Sequence, residues 1–329
     1  MAGCGAQIRV LCAWPRERHT GPCPVAARWA VHVTVRAGTL GTGTVVGMTV
    51  PAVDRQLLDL AVTVAHRAGS LAAERFFEAG FVTRAKEDGT DVTDVDVAVE
   101  ELIRTELLRR APDDEIYGEE AGTTAGVSGR RWIIDPIDGT VYFARRIPLF
   151  STLIAYEDEH GPAIGVINRP VARQMVFAGR GLGCWVRTGQ APDRRPVLRD
   201  KTGLRQALTQ LVNPATWHGE LLAALHQNVW ITGYLGGVTG VLTGVLDAVV
   251  MAGSPQGYED LAPLPVIMAE AGGRVTDLSD GPVLSGPGTA LVSTGHLHDE
   301  LLRLVADLPH GPSGHMKDGR WVPLRQDTT

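Results

Sequence analysis

The sequence predicts an α/β protein in which helices and β-sheets are stacked in layers. Residues 54–77 repeat apolar side chains at helical spacing, and residues 132–178 contain short β-like runs separated by Gly or Pro turns. Beyond about residue 200, helical and β-like segments alternate. The chain has 329 residues, which is enough for one large α/β domain or two small ones.

Four segments differ in character. Residues 1–47 mix Cys, Gly, Pro and Arg without a sustained period, so we interpret them as a disordered or non-native extension before Met48. Residues 48–200 are predicted to form an N-terminal α+β half, and residues 201–308 a C-terminal α/β half. Residues 309–329 are polar and rich in Pro and Gly, which predicts a flexible tail.

The N-terminal half is predicted to begin with two helices and to continue as a sheet. Apolar residues at helical spacing predict helices over 54–77 and 95–110, and Pro112 ends the second. Apolar runs between turns predict an antiparallel meander. The predicted strands span residues 132–134, 151–156, 163–167 and 174–178.

The C-terminal half is predicted to alternate helices with strands. Pro263 and Pro265 fall early in one predicted helix, where proline is tolerated. The predicted helices span residues 220–227, 238–247, 260–270 and 298–308. The predicted strands span residues 248–251, 274–278 and 290–293.

Composition excludes several classes of protein. The formal net charge is −6 and no Lys/Arg block occurs, which argues against a nucleic-acid partner. No run of about 18 apolar residues or signal-peptide pattern is present, so we expect no membrane partner. Four cysteines without a CxxC spacing indicate neither a zinc site nor a disulfide scaffold, and they favour a cytoplasmic location.

A buried strand is predicted to deliver two carboxylates to one point. The apolar residues 132–134 run directly into Asp135, and Asp138 follows three positions later. Gly139 permits close backbone approach to a ligand, and Thr140 offers a hydroxyl and an N–H group for phosphate. Asp-Pro and Asp-Gly are also ordinary turn formers, but the whole string after a buried strand favours a ligand site.

Two further acidic segments precede this string. Glu119 and Glu120 follow a short apolar segment, where paired acids are more often a solvated surface. Lys86 opens an acid-rich loop that leads through Thr93 to Asp96, and part of this pattern is a helix start. A protein with a net negative charge repels an anionic substrate. Divalent cations bound by clustered carboxylates can supply the positive charge that overcomes this repulsion.

Taken together, these motifs resemble the inositol monophosphatase superfamily. The corresponding strings are Thr93 with Asp96, residues 118–120, residues 135–140, residues 260–262 and residues 270–273. Their order and spacing agree from about residue 54 to 308. The resemblance implies the αβαβα sandwich of the inositol monophosphatase and fructose-bisphosphatase type, with the site between the two halves.

The resemblance also implies a magnesium site and a set of roles. Two or three Mg²⁺ ions would be bound by the side chains of Glu119, Asp135, Asp138 and Asp260 and the carbonyl of Ile137. Such oxygen ligands suit Mg²⁺. Asp96, helped by Thr140, would position a metal-bound water, and Lys86 would lie in a mobile loop near the metals. The candidate catalytic residues are Asp96, Glu119, Thr140 and Lys86. The candidate substrate-binding residues are Gly139, Thr140, Tyr234 and Asp260.

The implied activity is Mg²⁺-dependent hydrolysis of a small phosphomonoester by a metal-activated water, in a homodimer. The chain departs from the family pattern at Tyr142, Tyr234, Met251 and Glu259, so the substrate pocket is predicted to be altered. An inositol phosphate or a similar polyol or sugar phosphate is the broader prediction for the substrate. The alternatives are a histidinol-phosphate phosphatase, a nucleotide 3′-phosphatase, a fructose bisphosphatase, or a non-catalytic ligand-binding relative.

Overall fold

The structure is a computed structural model that describes residues 10–12, 31–33, 50–78, 80–86, 90–317 and 320–323. The described residues belong to two units, one before Val53 and one from Val53 onward. In the first unit, strand β1 (Val10–Cys12) pairs antiparallel with β2 (Val31–Val33). The rest of residues 1–47 lies outside the described part, so the predicted disordered or non-native extension remains a prediction. All that follows concerns the second unit.

The described part of the second unit contains eight α-helices. They are α1 (Arg55–Phe77), α2 (Asp94–Arg110), α3 (Thr140–Ala144), α4 (Gly219–Asn228), α5 (Val238–Leu242), α6 (Tyr258–Leu261), α7 (Leu264–Ala271) and α8 (Gly295–Val305). None of the helices that the structure describes combines the length and the apolar character needed to cross a bilayer.

Sixteen strands are described in the same unit. The first eight are β3 (Thr83–Ala85), β4 (Asp91–Thr93), β5 (Glu115–Gly118), β6 (Gly122–Thr124), β7 (Arg131–Asp138), β8 (Ser151–Asp158), β9 (Gly161–Arg169) and β10 (Gln174–Gly179). The others are β11 (Gly183–Thr188), β12 (Leu208–Val212), β13 (Trp230–Thr232), β14 (Ala248–Met251), β15 (Arg274–Thr276), β16 (Ala290–Ser293), β17 (Gly314–Lys317) and β18 (Arg320–Pro323).

Two large sheets alternate with three layers of helices. The seven-stranded sheet has the order β11-β10-β9-β8-β7-β5-β6, and the five-stranded sheet has the order β13-β12-β14-β16-β15. Helices α1 and α2 cover the outer face of the larger sheet, while α5, α6 and α7 form the middle layer. Helices α4 and α8 cover the outer face of the smaller sheet. The predicted layered α/β fold is therefore confirmed.

Successive side chains of a strand in the smaller sheet pack into the cores on its two faces. In the smaller sheet, Val249 and Val292 point into the core shared with the middle layer. Their neighbours Val250 and Leu291 point into the core shared with α4 and α8. Successive side chains of a strand face opposite sides, so a strand buried on both faces is apolar throughout. This explains the continuous apolar runs in the sequence.

Several predicted boundaries are wrong, for local reasons. The helix predicted over 238–247 ends at Leu242, because Gly244 adopts a left-handed φ of 75°. The helix predicted over 260–270 is divided into α6 and α7 around Pro263. The last helix begins at Gly295 and ends at Val305, so it lies closer to the N-terminus than predicted. The segment predicted as a flexible tail contains the β17–β18 hairpin, and its flexibility remains a prediction.

Gly165 allows the middle layer to approach the larger sheet closely. A Cβ atom at this position in β9 would lie 2.4 Å from the carbonyl oxygen of Pro263 and 3.0 Å from Cγ1 of Ile267. Both contacts come from the start of α7 and its cap. The close packing of α7 on β9 thus depends on the absence of a side chain at Gly165.

We expect Gly165→Ala to lower the free energy of unfolding by about 1–3 kcal/mol, because the added methyl group overpacks this contact. Chemical denaturation of the purified protein measures the change. Gly219→Ala is the matched control, since a Cβ there meets no heavy atom within 4 Å and the position begins a helix. Equal stability of the two variants would contradict this view of the interface.

Candidate active site

The site begins where β7 leaves the core of the larger sheet. Residues 132–134 are fully buried, and β7 then carries Asp135 and Asp138 past an irregularity in its pairing with β8. The Thr152 hydroxyl donates a hydrogen bond to the Pro136 carbonyl at 3.0 Å, across this irregularity. The local bulge therefore presents both carboxylates at one edge of the sheet.

A third carboxylate reaches the same point from the other half of the chain. The carboxylate oxygens of Asp135, Asp138 and Asp260 include one set whose members all lie within 4.8 Å of one another. Asp260 is oriented by the Gly257 N–H, which donates to its Oδ2 at 2.8 Å. The structure thus brings together three of the predicted metal ligands from β7 and α6, while their role as ligands stays a prediction.

These carboxylates are costly to bury together. Burial raises the pKa of Asp135 well above its usual range, and the charges of Asp138, Glu119 and Asp260 raise it further. Burial, with the charge of Glu119, also raises the pKa of Asp138 to about 6, against the stabilising hydrogen bond from Ser151. For Asp260, burial and the Asp138 charge raise the pKa to about 8. In the absence of a cation, the three groups cannot all be ionised at neutral pH without a large penalty.

A divalent cation fits this set of donors. Asp135 is 1% exposed, and its Oδ1 has no hydrogen-bond partner among the described residues. Three hard oxygen donors from carboxylates, one of them unsatisfied and buried, are the ligands that Mg²⁺ or Ca²⁺ prefers. A bound cation would satisfy the orphaned oxygen and remove the mutual repulsion.

Glu119 lies beside this group and is held by a lysine. It follows β5, and its N–H donates to the Ile134 carbonyl at 3.2 Å, on the neighbouring strand. Lys86 Nζ donates to Oε1 of both Glu119 and Glu120, at 2.8 Å each. Burial favours the neutral amine, but these two carboxylates raise the pKa of Lys86 above its ordinary value. Burial raises the pKa of Glu120 to about 7 despite the Lys86 hydrogen bond.

Glu100, which was not predicted from the sequence, positions the loop that carries Glu119. Glu100 is 1% exposed, and its carboxylate accepts hydrogen bonds from the N–H groups of Glu120 at 2.8 Å and Ala121 at 2.9 Å. Arg104 Nε donates to the same carboxylate at 2.8 Å. The spacing of Asp96 and Glu100, four residues apart on α2, was the available signal, because it places both acids on one helix face.

Asp96 and Thr140 form a hydrogen-bonded pair next to the cluster. Thr140 Oγ1 lies 2.9 Å from Asp96 Oδ1 and 3.0 Å from the Ile137 carbonyl oxygen. The other oxygen of Asp96 accepts hydrogen bonds from the N–H (2.9 Å) and the hydroxyl of Thr93, which caps α2. Burial raises the pKa of Asp96 although these hydrogen bonds oppose it. A fully buried carboxylate is thereby held against a threonine hydroxyl.

The predicted substrate-binding residues lie on two sides of the site. Gly139 caps α3 with a φ of 91°, and a Cβ there would lie 3.0 Å from the Leu149 carbonyl oxygen, so the position requires glycine. Tyr234 lies between β13 and α5, and its ring centroid is 6.2 Å from that of Tyr142 in α3. Burial raises the pKa of Tyr234. The structure therefore places Tyr234 beside the helix that begins at Thr140.

Comparison with known proteins agrees with this geometry. Residues 54–310 match the model of the inositol monophosphatase family. Histidinol-phosphatase of Mycobacterium tuberculosis is 36% identical over 252 residues, which cover 74% of this chain and 96% of that protein. Inositol-1-monophosphatase of Mesorhizobium japonicum is 29% identical over 262 residues, which cover 76% of this chain and 96% of that protein.

A solved structure of the Thermotoga maritima IMPase is similar in fold. Its TM-score is 0.67 at 25% identity, and the match covers 76% of this chain and 96% of the Thermotoga chain. The family match spans most of the chain, so the resemblance predicted from the motifs is confirmed. The chain belongs to the inositol monophosphatase family and is a phosphoric monoester hydrolase.

Proposed function

We propose that the chain is a Mg²⁺-dependent phosphatase that hydrolyses a small polyol or sugar phosphate, such as an inositol phosphate. The convergence of Asp135, Asp138 and Asp260 around a buried, unsatisfied carboxylate oxygen carries this proposal. These three side chains would hold Mg²⁺, together with Glu119 and the carbonyl of Ile137. Two or three bound ions would supply charge neutralisation and Lewis-acid activation of water and phosphate.

Asp96 and Thr140 are proposed to handle the proton of the attacking water. The Thr140 hydroxyl can donate to Asp96 Oδ1, at 2.9 Å, and its oxygen lone pairs can then accept from a water. Asp96 is the proton acceptor at the end of this chain of hydrogen bonds. Burial raises the pKa of Asp96, so it is a stronger base than an exposed aspartate.

Gly139, Thr140 and Lys86 have supporting roles in this proposal. The N–H groups of Gly139 and Thr140 bind phosphate oxygens, and the missing side chain of Gly139 permits their close approach. Lys86 keeps Glu119 and Glu120 together through its two 2.8 Å hydrogen bonds. Phosphoryl transfer requires mainly such positioning and charge stabilisation, so no covalent nucleophile is needed.

The alternative substrate is histidinol phosphate, because the relative from Mycobacterium tuberculosis carries that name. Retention of the clustered carboxylates argues against a non-catalytic relative. Homodimer formation and a cytoplasmic location remain predictions, the first from the resemblance and the second from the cysteine content.

A substrate panel tests the proposed function. We expect phosphate release from inositol 1-phosphate or histidinol phosphate only with Mg²⁺, and at least about 100-fold lower kcat/KM in Asp260→Asn, since one charge of the cation site is lost. Asp59→Asn is the control, because Asp59 is exposed on α1. Equal rates with Mg²⁺ and with a chelator, or an unimpaired Asp260→Asn variant, would contradict the proposal.

The pH dependence of stability gives a second test. Asp138 and Asp260 have pKa values of about 6 and about 8 in the folded protein, above the roughly 3.9 of an unfolded aspartate. The folded metal-free protein therefore binds more protons than the unfolded chain, and these groups contribute less stability as pH rises from about 4 to 8.

Mg²⁺ binds the ionised carboxylates, so the rise in Tm on adding saturating Mg²⁺ should be larger at pH 8 than at pH 5.5. Thermal unfolding with Mg²⁺ and with a chelator at each pH measures this difference. The Asp260→Asn variant should show a smaller difference between the two pH values. A Tm rise that is equal at both, or greater at pH 5.5, would be incompatible with a carboxylate cation site.

A further inference from the structure

A half-buried cation, Arg169, lies next to Tyr234, which is a predicted substrate-binding residue. Arg169 ends β9, and no carboxylate of the described residues lies within 4.0 Å of its guanidinium nitrogens. Its Nη1 donates instead to Gln174 Oε1 at 3.0 Å and to Thr239 Oγ1 at 3.2 Å. Neutral acceptors thus hold the side chain in place, and no salt bridge to a described carboxylate neutralises it directly.

This cation lies at the same edge of the sheet as the metal cluster. Asp138 on β7 pairs with Ser151 on β8, and the next residue, Thr152, pairs with Asn168 on β9. Arg169 follows Asn168, so it is two strands away from Asp138, which is about 10 Å between backbones. Its charge acts on Asp138 and opposes the rise in pKa that burial imposes there.

Two tyrosines connect Arg169 to the proposed phosphate site. The Arg169 guanidinium carbon lies 5.4 Å from the centroid of the Tyr234 ring. The Tyr234 ring is in turn 6.2 Å from the ring of Tyr142, which lies in α3 two residues after Thr140. The two rings thus lie between the guanidinium and the proposed phosphate site at Gly139 and Thr140.

We propose that Arg169 binds a second anionic group of the substrate, and that the substrate class is a small phosphomonoester that also carries a carboxylate or a second phosphate. This inference rests on the proposed function, because it takes the reacting phosphate to lie at Gly139 and Thr140. Arg169 is then a specificity-determining residue for the distal end of the substrate.

The chemistry of the guanidinium favours an anion over the other candidates. Its planar fork of N–H donors matches the oxygens of a carboxylate or a phosphate, and such charge-assisted hydrogen bonds are stronger than those to neutral hydroxyl groups. An ammonium group at the same place would be repelled by the like charge. A purely neutral polyol could not form an ion pair with the guanidinium.

Matched substrate pairs test the inference. 3-Phosphoglycerate differs from glycerol 1-phosphate by a carboxylate in place of a hydroxymethyl group, and fructose 1,6-bisphosphate differs from fructose 1-phosphate by a second phosphate. We expect at least tenfold higher kcat/KM for the anionic member of at least one pair, mainly through KM. The pair that shows the preference identifies the anion. The kcat/KM for histidinol phosphate should be lower than that for either anionic member.

Arg169→Gln should reduce this preference by at least tenfold, and Arg169→Lys should retain part of it, since the charge remains. Arg173→Gln is the control, because Arg173 is exposed in the turn after β9 and its loss removes the same charge. A preference that Arg169→Gln leaves intact, equal kcat/KM within both pairs, or a preference for histidinol phosphate would overturn the inference.

Binding separates this inference from the proposed function. Calorimetry in the presence of Mg²⁺, with non-hydrolysable phosphonate analogues of each pair, should give at least tenfold tighter binding of the anionic member of the preferred pair, and a smaller ratio in Arg169→Gln. If the enzyme hydrolysed no substrate, including p-nitrophenyl phosphate, the proposed function would be contradicted, but the second-anion subsite would not. If the enzyme released phosphate but bound both members of each pair with equal affinity, the second-anion subsite would be contradicted, but the proposed function would not.

Discussion

The mutual repulsion of three clustered carboxylates, one buried and two partly buried, constrains the arrangement of the elements around the site. Asp135, Asp138 and Asp260 are drawn from distant parts of the chain into a group that is unfavourable without a cation. A protein of marginal stability retains such a cost only where the neighbouring structure enforces it. Here the bulge of β7 and the cap of α6 fix the carboxylates. The favourable packing of the surrounding fold offsets the unfavourable free energy of bringing them together.

The layered architecture explains how distant residues meet. The middle layer of helices packs against both sheets, so α6 brings Asp260 to the edge of the larger sheet where β7 ends. The start of α2 brings Asp96 to the same edge, and the loop after β5 brings Glu119. Each of these side chains thus comes from the end of a rigid element, and buried polar side chains such as Glu100 fix the loops between them.

The fold class and the acidic residues that cluster at the end of β7 could be predicted from the sequence because each depends on a local pattern. Apolar spacing located α1 and α2, and the string around Asp135 combined a buried strand with acids and glycine. The strands β12 and β13 were not predicted, and the helix around Pro263 was predicted to be continuous. Tertiary packing, more than local sequence, determines the conformation of such short segments.

The role proposed for Arg169 had no signal in the sequence, and that of Glu100 had only its spacing from Asp96, because both depend on long-range contacts. Glu100 looks like an ordinary helix acid until the loop after β5 is seen to donate to it. Arg169 looks like an exposed turn residue until Thr239 and Tyr234 are placed around it. Sequence patterns therefore indicated the candidate metal ligands, whereas the subsite proposed at Arg169 could be recognised only from the three-dimensional arrangement.

The most direct measurement is anomalous X-ray diffraction from crystals grown with Mn²⁺ in place of Mg²⁺. Mn²⁺ accepts the same oxygen ligands and has an anomalous signal that locates it independently of the protein coordinates. We expect a strong peak within coordination distance of Asp135, Asp138 and Asp260. Peaks confined to other places, or a cluster that stays without metal at millimolar Mn²⁺ and neutral pH, would contradict it.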